Sequence, residues 1–235
     1  MLKQLALLTD IECFSTLPNA AVSEVSLLLI DLSSGTIIDS ITSFFNPYDQ
    51  IHSHIDESTK QWCLEKLPQE NLKKSFASNT KTELPLFISK IQSLIKRNNL
   101  VDGNFRIYSR GSNFDLPIIT SLIASVNGGK PHGLWDFRSE YCHRTVLEIA
   151  FNSEELLEAT KLAEDMSAIF LNKPLVKHDS SHDVVLEAFL LHLAFKKIET
   201  FQAVNLKVTQ KNQCMYSGLI QLANRASTSK DINNA

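Results

Sequence analysis

Three segments near the amino terminus combine apolar runs with the alternation that is typical of β-strands. The apolar run Leu5–Leu8 continues into residues 9–12, and a short run of this kind indicates a buried strand. Two β-rich segments follow over residues 24–31 and 36–45, separated by the turn signal Ser33-Ser34-Gly35. Three consecutive strands joined by short connections predict an antiparallel meander.

The remainder of the chain has mainly helical periodicity. In residues 82–98, for example, Phe87, Ile91 and Leu94 recur at helical spacing. A short strand is predicted at residues 105–108, and helices are predicted over residues 56–67, 82–98, 113–126, 144–150, 153–164 and 180–198, with Ser180 or Ser181 capping the last of them. Strands followed by helices with an interposed strand predict an α/β or α+β fold with a mixed sheet.

Length and composition favour one domain with an appendage. The chain has 235 residues, of which 43% are hydrophobic, and 13 Phe are available for a core. We expect the main domain over residues 1–200. Residues 201–235 are predicted to form a helical, basic extension with a flexible end, because the residues from 226 onward are small and polar.

The cysteines predict a reducing environment. The four cysteines are widely spread and form no Cys-x-x-Cys pair. The first apolar run is too short for a secretory segment, and no stretch reaches the length of a membrane span. We therefore expect a cytoplasmic protein with free thiols and no membrane partner.

The charge distribution leaves two interpretations open. The net charge of −3 by itself argues against a nucleic-acid partner. However, residues 60–110 contain ten Lys/Arg against four Asp/Glu, and residues 196–235 contain six against two. These basic segments are consistent with a surface that binds a polyanion, or with ordinary solvated helix faces.

Two carboxylates end the first predicted strand. Because side chains in a strand repeat every two residues, Asp10 and Glu12 share one face. Neighbouring carboxylates repel each other at the end of a buried strand, and a hard divalent cation such as Mg²⁺ is the usual partner for such oxygen ligands. The spacing therefore suggests a metal site, although pairs of this kind also occur as simple surface charges.

Two downstream segments supply matching residues. Asp115 is predicted in the first turn of a helix that follows a strand, where it can bind a ligand or simply complement the helix dipole. His178 precedes a capped helix whose first turns contain Asp183. A histidine near a metal-bound carboxylate can accept a proton from water, because its pKa is ordinarily close to neutral. A capped helix with an unrelated histidine is the alternative.

Taken together, these motifs resemble those of the DEDD exonuclease superfamily. They appear in the order Asp10-x-Glu12, then Asp115, then His178 five positions before Asp183. The histidine marks the DEDDh branch, since the tyrosine branch would carry Tyr at position 179. Flanking residues are similar to the bacteriophage exonuclease A (DexA) group and its bacterial exoribonuclease relatives, namely Pro18-Asn19-Ala20, Thr59-x-x-Trp62 and Arg144-Thr145.

The resemblance implies a fold, a reaction and a set of ligands. The expected fold is α/β and RNase H-like (DnaQ-like exonuclease), a mixed sheet flanked by helices. The expected activity is metal-dependent 3′→5′ hydrolysis of single-stranded nucleic acid, with DNA favoured, to nucleoside 5′-monophosphates. Two Mg²⁺ or Mn²⁺ ions would be held by the four acids, and His178 would take the proton of the attacking water. The acids are Asp10, Glu12, Asp115 and Asp183.

Substrate contacts and alternative functions complete the expectations. Candidate residues for the terminal nucleotides are Ile11, Phe14, Trp62, Asn113 and Phe114, because bases stack on exposed aromatic rings. Trp62 could equally be a core residue, and Asn113 could only cap its helix. The alternatives are oligoribonuclease-like RNA trimming, or a nucleic-acid-binding module without catalysis. The oligomeric state is left open, with a homodimer as one option.

Overall fold

In the computed structural model, residues 4–51, 53–126 and 133–203 are described. Their β-structure is one five-stranded sheet of order β3-β2-β1-β4-β5. The first three strands, β1 (Leu5–Cys13), β2 (Val22–Asp31) and β3 (Thr36–Phe44), pair antiparallel to their neighbours. The other two, β4 (Phe105–Ser109) and β5 (Glu140–Cys142), pair parallel. This arrangement confirms the predicted meander and the mixed sheet.

Helices surround the sheet. In chain order they are α1 (Glu57–Lys66), α2 (Gln69–Phe76), α3 (Leu84–Arg97), α4 (Asp115–Val126), α5 (His143–Ala150), α6 (Ser153–Leu171) and α7, which begins at residue 180. The chain divides into two compact units, Met1–Phe195 and Lys196–Ala235. In the second unit only residues 196–203 are described, and they are helical. The predicted extension over residues 201–235 therefore lies almost entirely outside the described residues.

The two faces of β1 have different neighbours. Leu7 and Ile11 belong to the main apolar cluster, together with residues of α3 and α4 such as Phe87 and Leu116. Alternation along the strand turns Asp10 and Glu12 to the opposite face. That face is covered by α7, since the hydroxyls of Ser180 and Ser26 are hydrogen-bonded at 2.6 Å and Ser26 is the register partner of Asp10. The two acids thus lie beneath the start of α7.

The direction of α7 follows from contacts at two points of β2. The hydroxyl of Ser180 donates to Glu24 Oε1 at 2.8 Å, whereas Nδ1 of His192 donates to the carbonyl of Leu32 at 2.8 Å. Helix α7 therefore runs along β2 in the same direction, and antiparallel to β1. Gly35 in the β2–β3 turn permits this packing, because it has φ of 73° and a Cβ there would lie 3.0 Å from Nε2 of His192.

The described part of the chain includes a helix and a strand that the sequence pattern did not predict. Helix α2 follows directly after Pro68, which the sequence indicated only as a stop, and it is attached by hydrogen bonds from Asn71 to Glu24 and from Ser75 to the carbonyl of Ser23. Strand β5 has only three residues. Elements this short carry little periodicity, so their formation depends on the partners that they pack against.

Several boundaries also differ from expectation. Helix α6 continues to Leu171, where Asn172 ends it in the left-handed conformation with φ of 51°. Helix α4 begins at Asp115, two residues after the expected cap. No helix in the described part of the chain is long and apolar enough to cross a membrane. The cytoplasmic location stays a prediction.

Candidate active site

The carboxylates of Asp10 and Glu12 are presented by the central strand of the sheet. Strand β1 lies between β2 and β4, and both acids are near its carboxyl end. Glu12 is only 8% exposed. Because β4 is parallel to β1, the loop that follows β4 leaves the sheet at the same end. This common edge brings the second motif of the sequence next to the first.

Asp115 is positioned by a tight turn at the start of α4. The carbonyl of Gly111 accepts hydrogen bonds from the amides of Phe114 and Asp115, at 2.8 and 3.3 Å. The amide of Gly111 in turn donates to Oδ2 of Asp115 at 3.4 Å. The carboxylate is 5% exposed and lies in the first turn of the helix, where the helix dipole favours negative charge.

The third motif is organised by the cap of α7. The cap is Asp179 rather than Ser180 or Ser181: its Oδ1 accepts from the amides of Ser181 and His182 at 3.1 and 3.3 Å. Asp179 acts as the cap because it directly precedes the first helical residue, and its carboxylate reaches the free amides of the second and third helical residues. The cap fixes the direction from which the chain enters the helix, and it therefore also fixes the position of His178.

His178 contacts two other residues of the site. Its amide donates to Oδ2 of Asp183 at 3.1 Å, and its ring lies 4.9 Å from that of Trp62 in an edge-on arrangement. The backbone of His178 has φ of 61°, which is uncommon for a residue other than glycine and is typical of functional loops. Ligand atoms of Glu12, His178 and Asp183 lie within 4.8 Å of one another.

All five residues of the predicted catalytic set line one cavity of about 820 Å³. Of the predicted substrate contacts, Ile11, Trp62, Asn113 and Phe114 also line it. Trp62 is 43% exposed, so the interpretation as a core residue does not apply. Asn113 is exposed, and α4 starts beyond it.

Phe14 is placed elsewhere than expected. It is completely buried and packs with Cys63, Leu67 and Leu72 beneath α1 and α2. A base cannot stack on a ring that has no exposed face, so the expected role of Phe14 as a substrate contact is wrong. The alternation of β1 ends at a register shift between Glu12 and Cys13, which makes the orientation of the next residues hard to foresee.

Burial raises the pKa of each acid, and repulsion by neighbouring acids of the site adds to the rise for Asp10 and Glu12. Desolvation is the largest cause in every case. Burial, together with the neighbouring charges of Glu24 and Asp183, raises the pKa of Glu12 to about 9. The pKa of Asp115 rises to about 6, and the pKa values of Asp10 and Asp183 also lie above their ordinary range.

Such a cluster fits a divalent cation. Four carboxylates offer the hard oxygen donors that Mg²⁺ and Mn²⁺ prefer, and a cation among them would stabilise their charged forms against the cost of burial. The site can therefore hold a divalent metal through the acids that the sequence predicted.

Several further residues of the cavity were not expected from the sequence. Arg110, Arg144 and Lys177 place positive charge along its wall. Glu187 is buried in α7, one turn beyond Asp183, and lines an adjoining cavity of about 300 Å³. The spacing of four residues on one helix was the available signal for Glu187, because such residues share a helix face. Arg144 belongs to the Arg144-Thr145 pair of the resemblance, whereas Arg110 and Lys177 had no comparable signal, since they lie in two separate loops.

The fold of this protein is shared with several exonucleases of solved structure. The nuclease domain of 3′hExo, a DEDDh family member bound to rAMP, matches with a TM-score of 0.53 and 13% identity over 83% of this chain and 92% of that one. A 3′-exonuclease that recognises the histone mRNA stem-loop matches with a TM-score of 0.54 and 13% identity, over 83% of each chain. Exonuclease I matches with a TM-score of 0.51 and 16% identity, over 84% of this chain and 41% of that one.

The chain belongs to the family of Rv2179c-like 3′-5′ exoribonuclease domains, whose model matches residues 6–191. It is accordingly a hydrolase that removes nucleotides from 3′ ends, and the predicted enzyme class is confirmed. No curated protein sequence matches the chain. The closer resemblance to bacteriophage exonuclease A stays a prediction.

Proposed function

We propose that the protein is a two-metal 3′→5′ exonuclease that hydrolyses single-stranded nucleic acid to nucleoside 5′-monophosphates. The observation that carries the proposal is the convergence of four acids, two buried and two half-buried, and one histidine on a single cavity. RNA is the first substrate to consider, because the family model is described as an exoribonuclease. DNA, favoured on the resemblance of the sequence alone, is the second.

We assign the metal ligands to Asp10, Glu12, Asp115 and Asp183. Two Mg²⁺ or Mn²⁺ ions, when bound, would lower the pKa of the attacking water and stabilise the charge on the leaving 3′ oxygen. The ligands are presented by rigid elements, β1, α4 and α7, and this favours a fixed arrangement of the reacting groups. Support for the assignment comes from their burial and from the rise of their pKa values in the absence of a cation.

We assign general-base catalysis to His178. Its ring lies at the wall of the cavity beside Trp62, and its backbone is tied to Asp183. His178 has a left-handed backbone conformation and lies in the loop before α7, not in the helix itself. A loop position allows the imidazole to accept the proton of the water and then to release it to solvent.

Substrate binding would use the exposed aromatic rings and the basic wall. Trp62 and Phe114 are 43% and 36% exposed at the cavity, which leaves a ring face for the terminal bases. Arg110, Arg144 and Lys177 are placed to neutralise backbone phosphates. Contacts to the 2′-hydroxyl would decide between RNA and DNA.

Degradation of labelled oligonucleotides tests this function. Single-stranded RNA and DNA with a 5′ label are incubated with Mg²⁺, with EDTA, and with a blocked 3′ end. We expect metal-dependent shortening from the free 3′ end that the block stops. Asp115→Asn should lower the rate by several orders of magnitude, as expected for a lost metal ligand, whereas Asp102→Asn, at an exposed site outside the cavity, should not.

Cleavage of neither substrate would contradict the proposal if the protein is folded and binds metal. The nucleic-acid-binding module without catalysis would then be the better interpretation. Electrophoretic mobility of the same oligonucleotides in EDTA would test that interpretation directly.

A further inference from the structure

Among the residues that the structure describes, the carboxylate of Glu187 has no hydrogen-bond partner. The side chain is buried, with 3% of its surface exposed. Its cationic neighbours are Arg144 and Arg110, and Nε of Arg110 lies 3.9 Å from Oε1, beyond hydrogen-bond distance. The Arg110 side chain is 62% exposed, so solvent weakens this ion pair. Keeping an ionised carboxylate in such surroundings is costly, because it has left water without gaining comparable contacts.

The packing of α7 on β1 brings Glu187 opposite Asp10. Glu12 and Asp183 face each other across the site, with ligand atoms within 4.8 Å. Because α7 is antiparallel to β1, the next turn of the helix lies over the preceding part of the strand. Four helical residues advance about 6 Å and two strand residues about 7 Å, so the steps from Asp183 to Glu187 and from Glu12 to Asp10 nearly match.

The electrostatics of Asp10 agree with this placement. After burial, the charge of Glu187 is the largest cause that raises the pKa of Asp10, ahead of Glu12, Asp115 and Asp183. Asp115 and Asp183 likewise contribute to the raised pKa of Glu187, after burial and against a lowering by Arg110. Glu187 lines a cavity of about 300 Å³ together with Asp183 and Arg110, and these two residues also line the cavity of the predicted ligands.

We propose that Glu187 is a fifth acid of the metal centre, which together with Asp10 binds one divalent cation directly or through a metal-bound water. This inference rests on the proposed two-metal function. The site then has two pairs of facing carboxylates, Glu12 with Asp183 and Asp10 with Glu187, and Asp115 completes it. A cation between Asp10 and Glu187 would supply the partner that the buried carboxylate lacks.

Binding of Mn²⁺ to Glu187→Gln, measured by isothermal titration calorimetry without substrate, tests the proposal. The substitution keeps the size of the side chain and removes its charge. We expect the affinity for one of the two ions to fall about 10- to 100-fold, the usual range for residues that support a metal site. Glu148→Gln is the matched control, because Glu148 is exposed and lines with Glu187 a neighbouring cavity of about 300 Å³. Its Mn²⁺ affinities should equal those of the unchanged protein.

The outcomes separate this inference from the function on which it rests. If the unchanged protein binds no Mn²⁺, the two-metal function itself fails. If it binds two ions and Glu187→Gln binds both equally well, only the role of Glu187 is overturned, even if its activity falls, because the defect would then lie in the placement of Arg110. If circular dichroism shows that Glu187→Gln does not fold, Glu187→Asp decides: weaker binding of one ion supports the proposal, and unchanged binding overturns it.

Discussion

At the scale of the residue, the site concentrates negative charge that the protein alone does not neutralise. Asp10, Glu12, Asp115 and Asp183 all have raised pKa values, and burial is the main cause. A carboxylate with a raised pKa destabilises the folded state once the pH exceeds its ordinary pKa, because the unfolded chain then gives up its proton more readily. The buried carboxylates therefore lower the stability of the metal-free protein, and a bound cation would offset this cost.

The raised pKa values predict that the stability of the metal-free protein depends on pH. Glu12 has an ordinary pKa of 4.5 and a folded-state pKa of about 9, so its contribution to the free energy of unfolding falls as the pH rises between these values. Thermal denaturation in EDTA at several pH values should show a steeper loss of stability in the unchanged protein than in Glu12→Gln. If the stability of the two proteins changed with pH in the same way, the pKa of Glu12 would not be raised in the folded state.

The assignment of His178 predicts a kinetic defect without a defect in metal binding. His178→Ala should lower kcat by about 10²- to 10⁴-fold, the usual contribution of general-base catalysis. The Mn²⁺ affinity should stay close to that of the unchanged protein, because the four acids remain. His182→Ala is a demanding control, since His182 is buried in the first turn of α7, where its Nδ1 accepts a hydrogen bond from the amide of Val176. An unchanged rate in His178→Ala would mean that another group is the base.

At the scale of the element, the start of α7 couples the stability of the helix to the geometry of the site. The cap residue Asp179 stands between His178 and the helix that carries Asp183. Burial raises the pKa of Asp179, but hydrogen bonds from Ser181 and Asn71 outweigh it and the pKa is lowered overall. Its charge is therefore retained where the helix dipole favours it.

Asp179→Ala should weaken both the fold and the metal site. Loss of a cap costs about 1 kcal/mol, and the approach loop would no longer hold His178 against Asp183. The control is Asn152→Ala, which removes the capping box of α6 outside the site. Denaturant unfolding should show similar losses for the two variants, whereas Mn²⁺ affinity should fall only in Asp179→Ala. Equal Mn²⁺ affinities would show that the cap is purely structural.

At the scale of the whole molecule, a cation in the site would join elements from distant parts of the chain. The four predicted ligands come from β1, α4 and α7, which otherwise meet through apolar packing and a few hydrogen bonds such as that between Ser26 and Ser180. A ligand that binds only the folded state raises its stability in proportion to the logarithm of its concentration over Kd.

Mg²⁺ should therefore raise the Tm of the protein. At about 100 times Kd, one site contributes about 2.7 kcal/mol, or about 5–10 °C for a chain of this size. Differential scanning fluorimetry with Mg²⁺ and with EDTA measures the shift. Asp115→Asn should lose most of it, while Asp102→Asn should retain it. A Tm that does not respond to Mg²⁺ in the unchanged protein would contradict metal binding at this site.

The sequence by itself determined the meander, most of the helices and the acids of the site. Alternation along β1 and the position of Asp115 after a strand are local patterns, so they can be read without knowledge of the partners. The order of the motifs was sufficient to predict the enzyme class. The individual roles of Asp10, Glu12, Asp115, His178 and Asp183 stay predictions.

Only the tertiary structure decided which residues share the site. Phe14 is buried and Trp62 exposed because α1 and α2 pack over the end of β1, and α2 itself is held by Asn71 on Glu24. Glu187 faces Asp10 because α7 crosses β1 antiparallel, with 177 positions of sequence between the two acids. Contacts over such separations depend on how elements pack, and no local pattern encodes that packing.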